Sequence, residues 1–383
     1  MIKKILPKKT ETYTMPTEVL FGRGALNLVG GEEIMDQAKK IILVTGEHFK
    51  QTSSFIDLEK KLSGKEIEVI VYDTKIAKSD FDTINSLTDY FRKNAPEIVI
   101  VIGGGTILDT AKCAAILAIN GGNVEDYLVT KKLQLDNKGI PLVTVPTTSG
   151  TGSEVTPWAV IWDFANHEKH SLSSPLMFPY LAVVDPALTD NLPPKITAET
   201  GMDALTQAIE AYWSKFHNPV SDKYALEAIK LVMKYLSIAV NDSTPESRNM
   251  MSKASLFAGL AFSNTKTTIC HSVSYPMTAH WGVAHGQAVS VTLSEFIRYS
   301  LPAMQERERK LIKALGADSV EEAAQKVGDL MKEVHLATRL SELEIKKEDI
   351  PIIVLEGYDP DRANNAPRVP TQEELKLILE KIL

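Results

Sequence analysis

Four residues in the second half of this 383-residue chain have side chains suited to a metal site: Asp203, Gln207, His271 and His285. Asp203 and Gln207 are four positions apart in a segment with helical spacing, so they lie on one helix face. Carboxylate and imidazole groups are typical ligands of iron(II) and zinc. An ion held there would act as a Lewis acid on a substrate oxygen, so these residues indicate metal-assisted chemistry.

The two histidines must be brought together by a change of chain direction. They are fourteen positions apart, which is about 21 Å in one unbroken helix and too far for a shared ion. Pro276 and Gly282 lie between them, and both residue types can interrupt a helix. We therefore predict that the helix breaks between His271 and His285.

Two turns have the composition of phosphate-binding segments. The first is Gly103-Gly104-Gly105-Thr106, which follows the strand-like run 98–102 and precedes the helix-like run 107–119. Glycine lets the backbone approach a phosphate, and a helix N-terminus offers free N–H groups at the positive end of its dipole. We expect Thr106 to cap this helix.

The second turn, at residues 146–153, also follows a strand and offers hydroxyl groups and backbone donors. Its candidate cofactor contacts are Thr147, Thr148, Thr151 and Ser153. Two such turns after parallel strands favour a dinucleotide ligand. The G-x-G-x-x-G fingerprint is absent, so the standard Rossmann signature does not apply.

The elements that must position these residues differ between the two halves of the chain. Apolar, β-branched runs at residues 41–45, 67–72, 98–102, 142–145 and 181–184 alternate with helix-compatible stretches such as 53–62 and 81–94. This pattern predicts a mostly parallel sheet covered by helices. Beyond the proline-rich break at 185–194, segments 200–214, 221–239, 247–262 and 305–315 have helical spacing. We predict an α/β domain at 1–188, an all-helical domain at 189–383 and a ligand cleft between them.

Composition excludes several classes of protein. The formal charge is −7, so the molecule as a whole should attract neither nucleic acid nor an anionic membrane. No segment approaches the roughly 20 apolar residues of a membrane span, and the first ten residues lack the apolar core of a signal peptide. Cys113 and Cys270 lie in apolar runs and are expected to be reduced, which favours a cytoplasmic protein.

The motifs occur in the order of a known family. They are Gly103-Gly104-Gly105-Thr106 with Asp109 and Lys112, Pro146-Thr147-Thr148 with Gly150-Thr151-Gly152-Ser153-Glu154, Gly201-Met202-Asp203-Ala204-Leu205, and His285-Gly286. On these motifs the chain resembles the iron-containing (group III) alcohol dehydrogenases along nearly its whole length. The resemblance implies a Rossmann-like α/β cofactor domain followed by a helical metal-binding domain, the architecture shared with dehydroquinate synthase. It also implies a homodimer.

The resemblance further implies which residues act in the site. Asp203, His271 and His285 match three metal ligands. The positions that match cofactor contacts are Gly104, Gly105, Thr147, Thr148 and Lys169. Asp109 resembles the residue that orients the nicotinamide or its ribose. Gly46, at the end of a strand, is expected near the adenine ribose, where glycine does not repel a 2′-phosphate, so NADH and NADPH both remain possible.

This chain departs from the family pattern at two positions. Gln207 stands where the family usually has histidine, and an amide oxygen is a weaker ligand than imidazole. With Gln207 at this position, the site could bind the metal through three strong ligands, favour zinc over iron, or have a weak affinity for the metal. Tyr275 stands where many members have a histidine assigned to proton relay, and a phenol with a pKa near 10 is a poor shuttle at neutral pH.

The resemblance implies hydride transfer between the nicotinamide and a small aldehyde whose oxygen is held at the metal. The segments 262–276 and 159–163 look like the branch that reduces phosphonoacetaldehyde or sulfoacetaldehyde. Candidate substrate contacts are Lys266, Thr267, Arg362 and Arg368. Thr267 is expected one helical turn before His271, and the three bases could pair with an acid group.

Three alternatives stay open at this stage. A general dehydrogenase of primary alcohols, of the butanol or propanediol type, would keep every motif but not the anion site. The chain could instead be a non-catalytic nucleotide-binding protein, in which Gln207 indicates that the metal site has decayed. A lyase of the dehydroquinate synthase type would share the two-domain plan, although the motifs around Asp203 and His285 fit the dehydrogenases better.

Overall fold

The computed structural model describes residues 11–31, 38–64 and 67–383. Within these ranges the strands are β1 (Glu18–Phe21), β2 (Lys40–Thr45), β3 (Glu68–Val71), β4 (Ile98–Gly103), β5 (Leu142–Pro146), β6 (Trp158–Asp163), β7 (Glu168–Ser173) and β8 (Leu181–Val184). Six of them form one parallel sheet in the order β1-β8-β5-β4-β2-β3, and β6 pairs with β7 as an antiparallel hairpin. The predicted parallel sheet is confirmed.

Helices cover both faces of the sheet. They are α1 (Glu47–Lys50), α2 (Ser53–Ser63), α3 (Phe81–Asn94), α4 (Gly105–Asn120) and α5 (Val124–Leu128). Along β4, Ile100 and its alternate neighbours pack in the core that includes Phe55 of α2, whereas Val99 and Val101 pack with Leu108 of α4. Because successive residues of a strand point to opposite faces, the uninterrupted apolar run of β4 is buried on both sides.

The second half of the chain is helical, as predicted. Its helices are α6 (Pro194–Trp213), α7 (Pro219–Asn241), α8 (Pro245–Thr265), α9 (Ile269–Trp281), α10 (His285–Ser290), α11 (Leu293–Ser300), α12 (Glu308–Ala314), α13 (Val320–Glu333), α14 (Ile350–Glu356), α15 (Pro360–Ala363) and α16 (Gln372–Lys381). They share one apolar core in which α6 is buried on nearly all sides. Among the helices of the described ranges, none is long and apolar enough to cross a membrane.

Two details of the sequence-based prediction are wrong. Thr106 does not cap α4, because the helix already begins at Gly105 with Gly104 as its N-cap, and Thr106 lies inside the first turn. The predicted helix at 305–315 is divided into a 3-10 turn at Gln305–Arg307 and α12. Gln305 has a positive φ of 55°, so it cannot belong to a regular α-helix.

Candidate active site

Three of the four predicted metal ligands converge on one point. A carboxylate oxygen of Asp203 on α6 and ring nitrogens of His271 on α9 and His285 on α10 lie within 4.8 Å of one another. Asp203 Oδ1 is 3.4 Å from His271 Nε2 and 3.8 Å from His285 Nε2. One carboxylate and two imidazoles at this spacing can bind a divalent metal ion.

The histidines converge because the chain turns between α9 and α10. Helix α9 continues through Pro276 and ends at Trp281, so the predicted break between the two histidines is confirmed and lies at Gly282. Gly282 has a φ of 66°, a left-handed conformation that glycine adopts without strain. Three residues later His285 begins α10.

Helix α10 then packs unusually close to α6. A Cβ atom placed on Gly286 would lie 1.9 Å from the backbone oxygen of Glu199, so only glycine permits this approach. The contact fixes the residue next to His285 against the helix that supplies Asp203. The His285-Gly286 motif therefore combines a ligand with the packing that positions it.

The polar atoms of this cluster fit a bound cation. Asp203 Oδ1, Gln207 Oε1 and His271 Nε2 are buried, and none has a hydrogen-bond partner among the described residues. Buried polar atoms without partners are rare in proteins, and a metal ion would satisfy these three. The fourth predicted ligand, Gln207, lies in the same cavity wall and is 4% exposed.

The electrostatics of the ligands are also suitable. Burial raises the pKa of Asp203, but the nearby His271 and His285 rings outweigh it, so the pKa is lowered overall. Burial lowers the pKa of His285 to about 4. At neutral pH the site therefore offers a carboxylate and at least one neutral imidazole, the forms that bind metals.

One buried carboxylate that contacts the metal cluster was missed from the sequence. Glu210 on α6 is fully buried, and its Oε2 lies 2.6 Å from His271 Nδ1. Burial raises the pKa of Glu210, but the charge and hydrogen bonds of His271 lower it overall. The signal was present in the sequence, because Asp203, Gln207 and Glu210 are spaced i, i+4 and i+7 on one helix face.

A cavity of about 480 Å³ connects the metal cluster to the first glycine-rich turn. The predicted cofactor and substrate residues in its wall are Gly104, Gly105, Thr106, Asp109, Thr148, Thr151, Ser153, Lys169, Thr267 and Arg362. Gly46, Gly103, Thr147 and Tyr275 are not part of this wall. Gly46 follows β2 and Gly103 ends β4, so both lie at the edge of the sheet from which the cavity extends.

The two predicted phosphate-binding turns lie against each other in this cavity. A Cβ atom on Gly105 would be 2.6 Å from Thr151 Cγ2, so the second turn packs directly on the start of α4. The free N–H groups of the α4 N-terminus thus lie beside the hydroxyl-rich second turn. This arrangement can hold an anionic phosphate at the helix end.

Asp109 also connects these segments. Its Oδ1 accepts a hydrogen bond from Ser153 Oγ at 2.5 Å, and its Oδ2 accepts one from Val160 N at 2.9 Å. The neighbouring Lys112 is fully buried and donates to Ser153 O and Thr156 Oγ1. Asp109 therefore fixes the second turn and β6 in the cavity wall, and its predicted role toward the nicotinamide stays a prediction.

The predicted substrate residues fall into two groups. Arg362 Nη1 donates to Thr267 Oγ1 at 2.9 Å, and both residues line the metal cavity. Thr267 precedes the N-cap Thr268 of α9, so it is not the helical residue that was predicted. The structure does not bring Arg368 to this cavity, because its guanidinium pairs with Glu374 and lies over the Tyr299 ring.

A second cavity, of about 350 Å³, adjoins the first through Trp158, Lys169 and Arg362. Lys266 is exposed and lines this second cavity, together with Tyr275. Lys169 Nζ lies 3.7 Å from the centre of the Tyr275 ring. Burial, and then the charge of Arg362, lower the pKa of Lys169 well below its ordinary value.

Comparison with known proteins places the chain in a family. The model of the iron-containing alcohol dehydrogenases matches residues 16–186, and the C-terminal model of the Fe-containing alcohol dehydrogenase family matches residues 197–383. The chain belongs to the iron-containing alcohol dehydrogenases. This family uses NAD or NADP with iron or another divalent metal ion, so the chain is an oxidoreductase of the alcohol dehydrogenase and aldehyde reductase type.

Individual relatives differ in their substrates. The chain is 31% identical to choline dehydrogenase of Bacillus subtilis, covering 92% of this chain and 87% of that protein. It is 30% identical to sulfoacetaldehyde reductase of Bilophila wadsworthia, covering 96% of this chain and 97% of that protein. The crystal structure of sulfoacetaldehyde reductase from Bifidobacterium kashiwanohense in complex with NAD+ superposes with a TM-score of 0.91 and 34% identity, covering 97% and 98%. Because these names include both choline and sulfoacetaldehyde, the substrate has to be argued from the cavity itself.

Proposed function

We propose that the chain reduces a small aldehyde bearing an acid group to the alcohol, with NADH or NADPH, at the centre formed by Asp203, His271 and His285. The preferred substrates are two-carbon aldehydes such as sulfoacetaldehyde and phosphonoacetaldehyde. The observation that carries the proposal is the Arg362–Thr267 pair in the wall of the metal cavity. A guanidinium and a hydroxyl on one side of a small cavity suit a sulfonate or phosphonate.

The charges around the pair support an anionic ligand. Lys169 shares both cavities with Arg362, and Lys266 lines the second. Asp359 also lines the second cavity, and its charge, like those of Asp109 and Asp203, acts on Lys169 in the direction opposite to burial. Burial is the main cause of the lowered pKa of Lys169, and the charge of Arg362 adds to it. An acid group between Lys169 and Arg362 would counter this second effect.

Different residues of the chain would hold the metal ion and the cofactor. When bound, the metal ion supplies Lewis acidity and the nicotinamide supplies the hydride. Asp203, His271 and His285 would hold the ion, and the two turns would hold the phosphates of the cofactor. Trp158 and Trp162 of β6 line the same cavity and would limit the access of water to the reacting groups.

Tyr275 does not suit proton relay. Burial raises its pKa to about 12, and its hydroxyl has no hydrogen-bond partner among the described residues. A phenol that neither gains nor loses a proton near neutral pH cannot replace a relay histidine. We propose that the proton reaches the alcohol oxygen from water or from a ribose hydroxyl.

A substrate panel tests the proposed function. Oxidation of NADH and NADPH is measured with sulfoacetaldehyde, phosphonoacetaldehyde and butyraldehyde, each with added iron(II), added zinc or a chelator. Metal-dependent turnover that is fastest on an anionic aldehyde supports the proposal. Fastest turnover on butyraldehyde identifies a general primary-alcohol dehydrogenase, and absence of turnover on all three would indicate that Gln207 weakens the metal site.

Arg362→Ala tests the anion site directly. Because a hydrogen bond to a charged group contributes about 1.5–3 kcal/mol, kcat/KM for the anionic aldehyde should fall about 10- to 100-fold. The value of kcat/KM for butyraldehyde should change little. Arg368→Ala is the matched control, since it removes a guanidinium that lies outside the cavity. Equal effects of the two variants on the anionic aldehyde would contradict the proposal.

A further inference from the structure

Glu210 is a fully buried carboxylate on the helix that supplies Asp203. Its two oxygens accept four hydrogen bonds. Oε1 accepts from Thr268 Oγ1 at 2.8 Å and from Cys270 N at 2.6 Å. Oε2 accepts from Thr268 N at 2.9 Å and from His271 Nδ1 at 2.6 Å. Because an ionised carboxylate can accept about four hydrogen bonds, all acceptor positions of Glu210 are occupied.

Two of these bonds fix the beginning of α9. The N-cap residue Thr268 makes no side-chain hydrogen bond to the first turn of its own helix. The N–H groups of Thr268 and Cys270 instead donate to Glu210 on the neighbouring helix. The first N–H groups of a helix need partners from outside the helical ladder, and here α6 supplies them. The Thr268 hydroxyl also accepts from Trp213 Nε1 at 2.7 Å, which ties the same point to the end of α6.

The bond to His271 determines which ring nitrogen is free. Because Glu210 Oε2 can only accept, Nδ1 of His271 must carry the proton in this bond. Nε2 is then the nitrogen whose lone pair can bind a metal, and it faces Asp203 Oδ1 at 3.4 Å. A hydrogen bond to the second ring nitrogen orients a metal-binding histidine and increases its basicity.

Asp203 and Glu210 are seven positions apart, two turns along one face of α6. One helix thus presents a carboxylate to the metal position and a second carboxylate to the far side of the imidazole. The distance between the two carboxylates is set by the helix itself. His271 lies between them, so its position depends on α6 as well as on α9.

We propose that Glu210 is a positioning residue of the metal centre, which holds the start of α9 on α6 and presents Nε2 of His271 to the ion beside Asp203. The proposal rests on the metal centre of the proposed function. It adds to that function a carboxylate that does not touch the ion but determines how tightly it is held.

Metal affinity of Glu210→Gln tests the proposal without reference to turnover. The metal-free protein is titrated with zinc in competition with a chromogenic chelator, and with cobalt(II), whose visible absorption reports ligand geometry. The glutamine side chain has one accepting oxygen and one donating NH2 group. The NH2 group would face two of the four donors that Glu210 now accepts from, so the network cannot form. We expect zinc affinity to fall about 10- to 100-fold and the cobalt spectrum to change.

Two control variants separate positioning from general damage. Asp185 is another buried carboxylate, which accepts from the backbone N–H groups of Gly24, Leu26 and Ala187 away from the metal cluster. Asp185→Asn should leave zinc affinity and the cobalt spectrum unchanged. Thr268→Val removes the hydroxyl bond to Glu210 but keeps the bond to His271, so its loss of affinity should be smaller than that of Glu210→Gln.

The outcomes distinguish this proposal from the proposed function. If the unaltered protein binds neither zinc nor cobalt, the metal centre itself is wrong. If it binds them and folded Glu210→Gln binds them equally well with the same spectrum, only the role of Glu210 is wrong. Should Glu210→Gln fail to fold, Glu210→Asp replaces it, since the shorter side chain cannot reach all four donors. Unchanged affinity in Glu210→Asp would likewise overturn the proposal.

Discussion

At the scale of single residues, Gln207 is the one predicted ligand that offers a neutral amide oxygen instead of a carboxylate or an imidazole. Its side chain lies in the cavity wall beside Asp203, and its Oε1 is buried without a partner among the described residues. Together with the larger effects of His271 and His285, Gln207 also helps to lower the pKa of the Asp203 carboxyl. The amide therefore suits a weak fourth ligand, and the three strong ligands remain Asp203, His271 and His285.

Gln207→His should strengthen metal binding. Imidazole is a better ligand for iron(II) and zinc than a neutral amide oxygen, so zinc affinity should rise about tenfold or more, equal to about 1.4 kcal/mol. Chelator competition on the metal-free protein measures the change. Gln207→Leu is the control, because it keeps the volume without an oxygen and should bind zinc no more tightly than the unaltered protein. An unchanged affinity in Gln207→His would show that position 207 does not reach the ion.

The residue types of the metal cluster were predictable from the sequence, whereas several individual contacts were not. Asp203, His271 and His285 could be chosen because they match ligand positions in the family that the chain resembles. Residue types alone would not have singled them out among 8 histidines and 49 acidic residues. Arg362 and Arg368 looked equivalent, since nothing in the sequence shows that Glu374 and Tyr299 engage the second. Glu210 was missed because a glutamate in an amphipathic pattern is usually on the solvent side of a helix.

At the scale of elements, the packing of α10 on α6 positions the last ligand. Gly286→Ala would place a methyl group 1.9 Å from Glu199 O, so α10 has to move away from α6. Overpacking of this kind costs about 1–3 kcal/mol, and displacement of α10 also displaces His285. We expect both the free energy of unfolding and the zinc affinity to decrease, measured by denaturant unfolding and by chelator competition.

Gly328→Ala provides the matched control for this change. Gly328 lies in α13, where an added Cβ would be 3.5 Å from Ser294 Oγ, an ordinary contact. Alanine in a helix interior is favoured over glycine by about 0.5–1 kcal/mol, so this variant should be as stable as the unaltered protein or more stable. Equal stability and equal zinc affinity in both alanine variants would refute the role of Gly286.

Helices and strands with a strong hydrophobic periodicity were predicted from the sequence, whereas short or largely polar strands were not. The buried strands and the three longest helices of the second half were predicted, although α6 begins at Pro194 and not at the predicted residue 200, and α13 was not predicted. Strand β1 was missed, because it has four residues at the sheet edge and none of them is fully buried. The β6–β7 hairpin was also missed, since its pairing depends on contacts with α4 and the second turn.

At the scale of the whole molecule, the cavity lies between the parallel sheet and the helices of the second half. The hairpin also connects the two: the His167 ring in its turn stacks on His280 of α9 at 4.5 Å, and His280 bonds to Glu356 of α14. The first half supplies the turns for the cofactor, and the second half supplies the metal ligands. The domain boundary between residues 188 and 189 and the homodimer stay predictions.

This division predicts that metal and cofactor stabilise the protein through separate residues. A ligand at 100 times its Kd adds about 2.7 kcal/mol to the free energy of unfolding, so zinc and NADH should each raise the Tm of the metal-free protein. Asp203→Asn should abolish the shift caused by zinc, because Asp203 lies at the centre of the ligand cluster. It should leave the shift caused by NADH largely intact, since the glycine-rich turn at Gly104 is unchanged. Differential scanning fluorimetry measures both shifts, and a zinc shift that persists in Asp203→Asn would mean that the ion binds elsewhere.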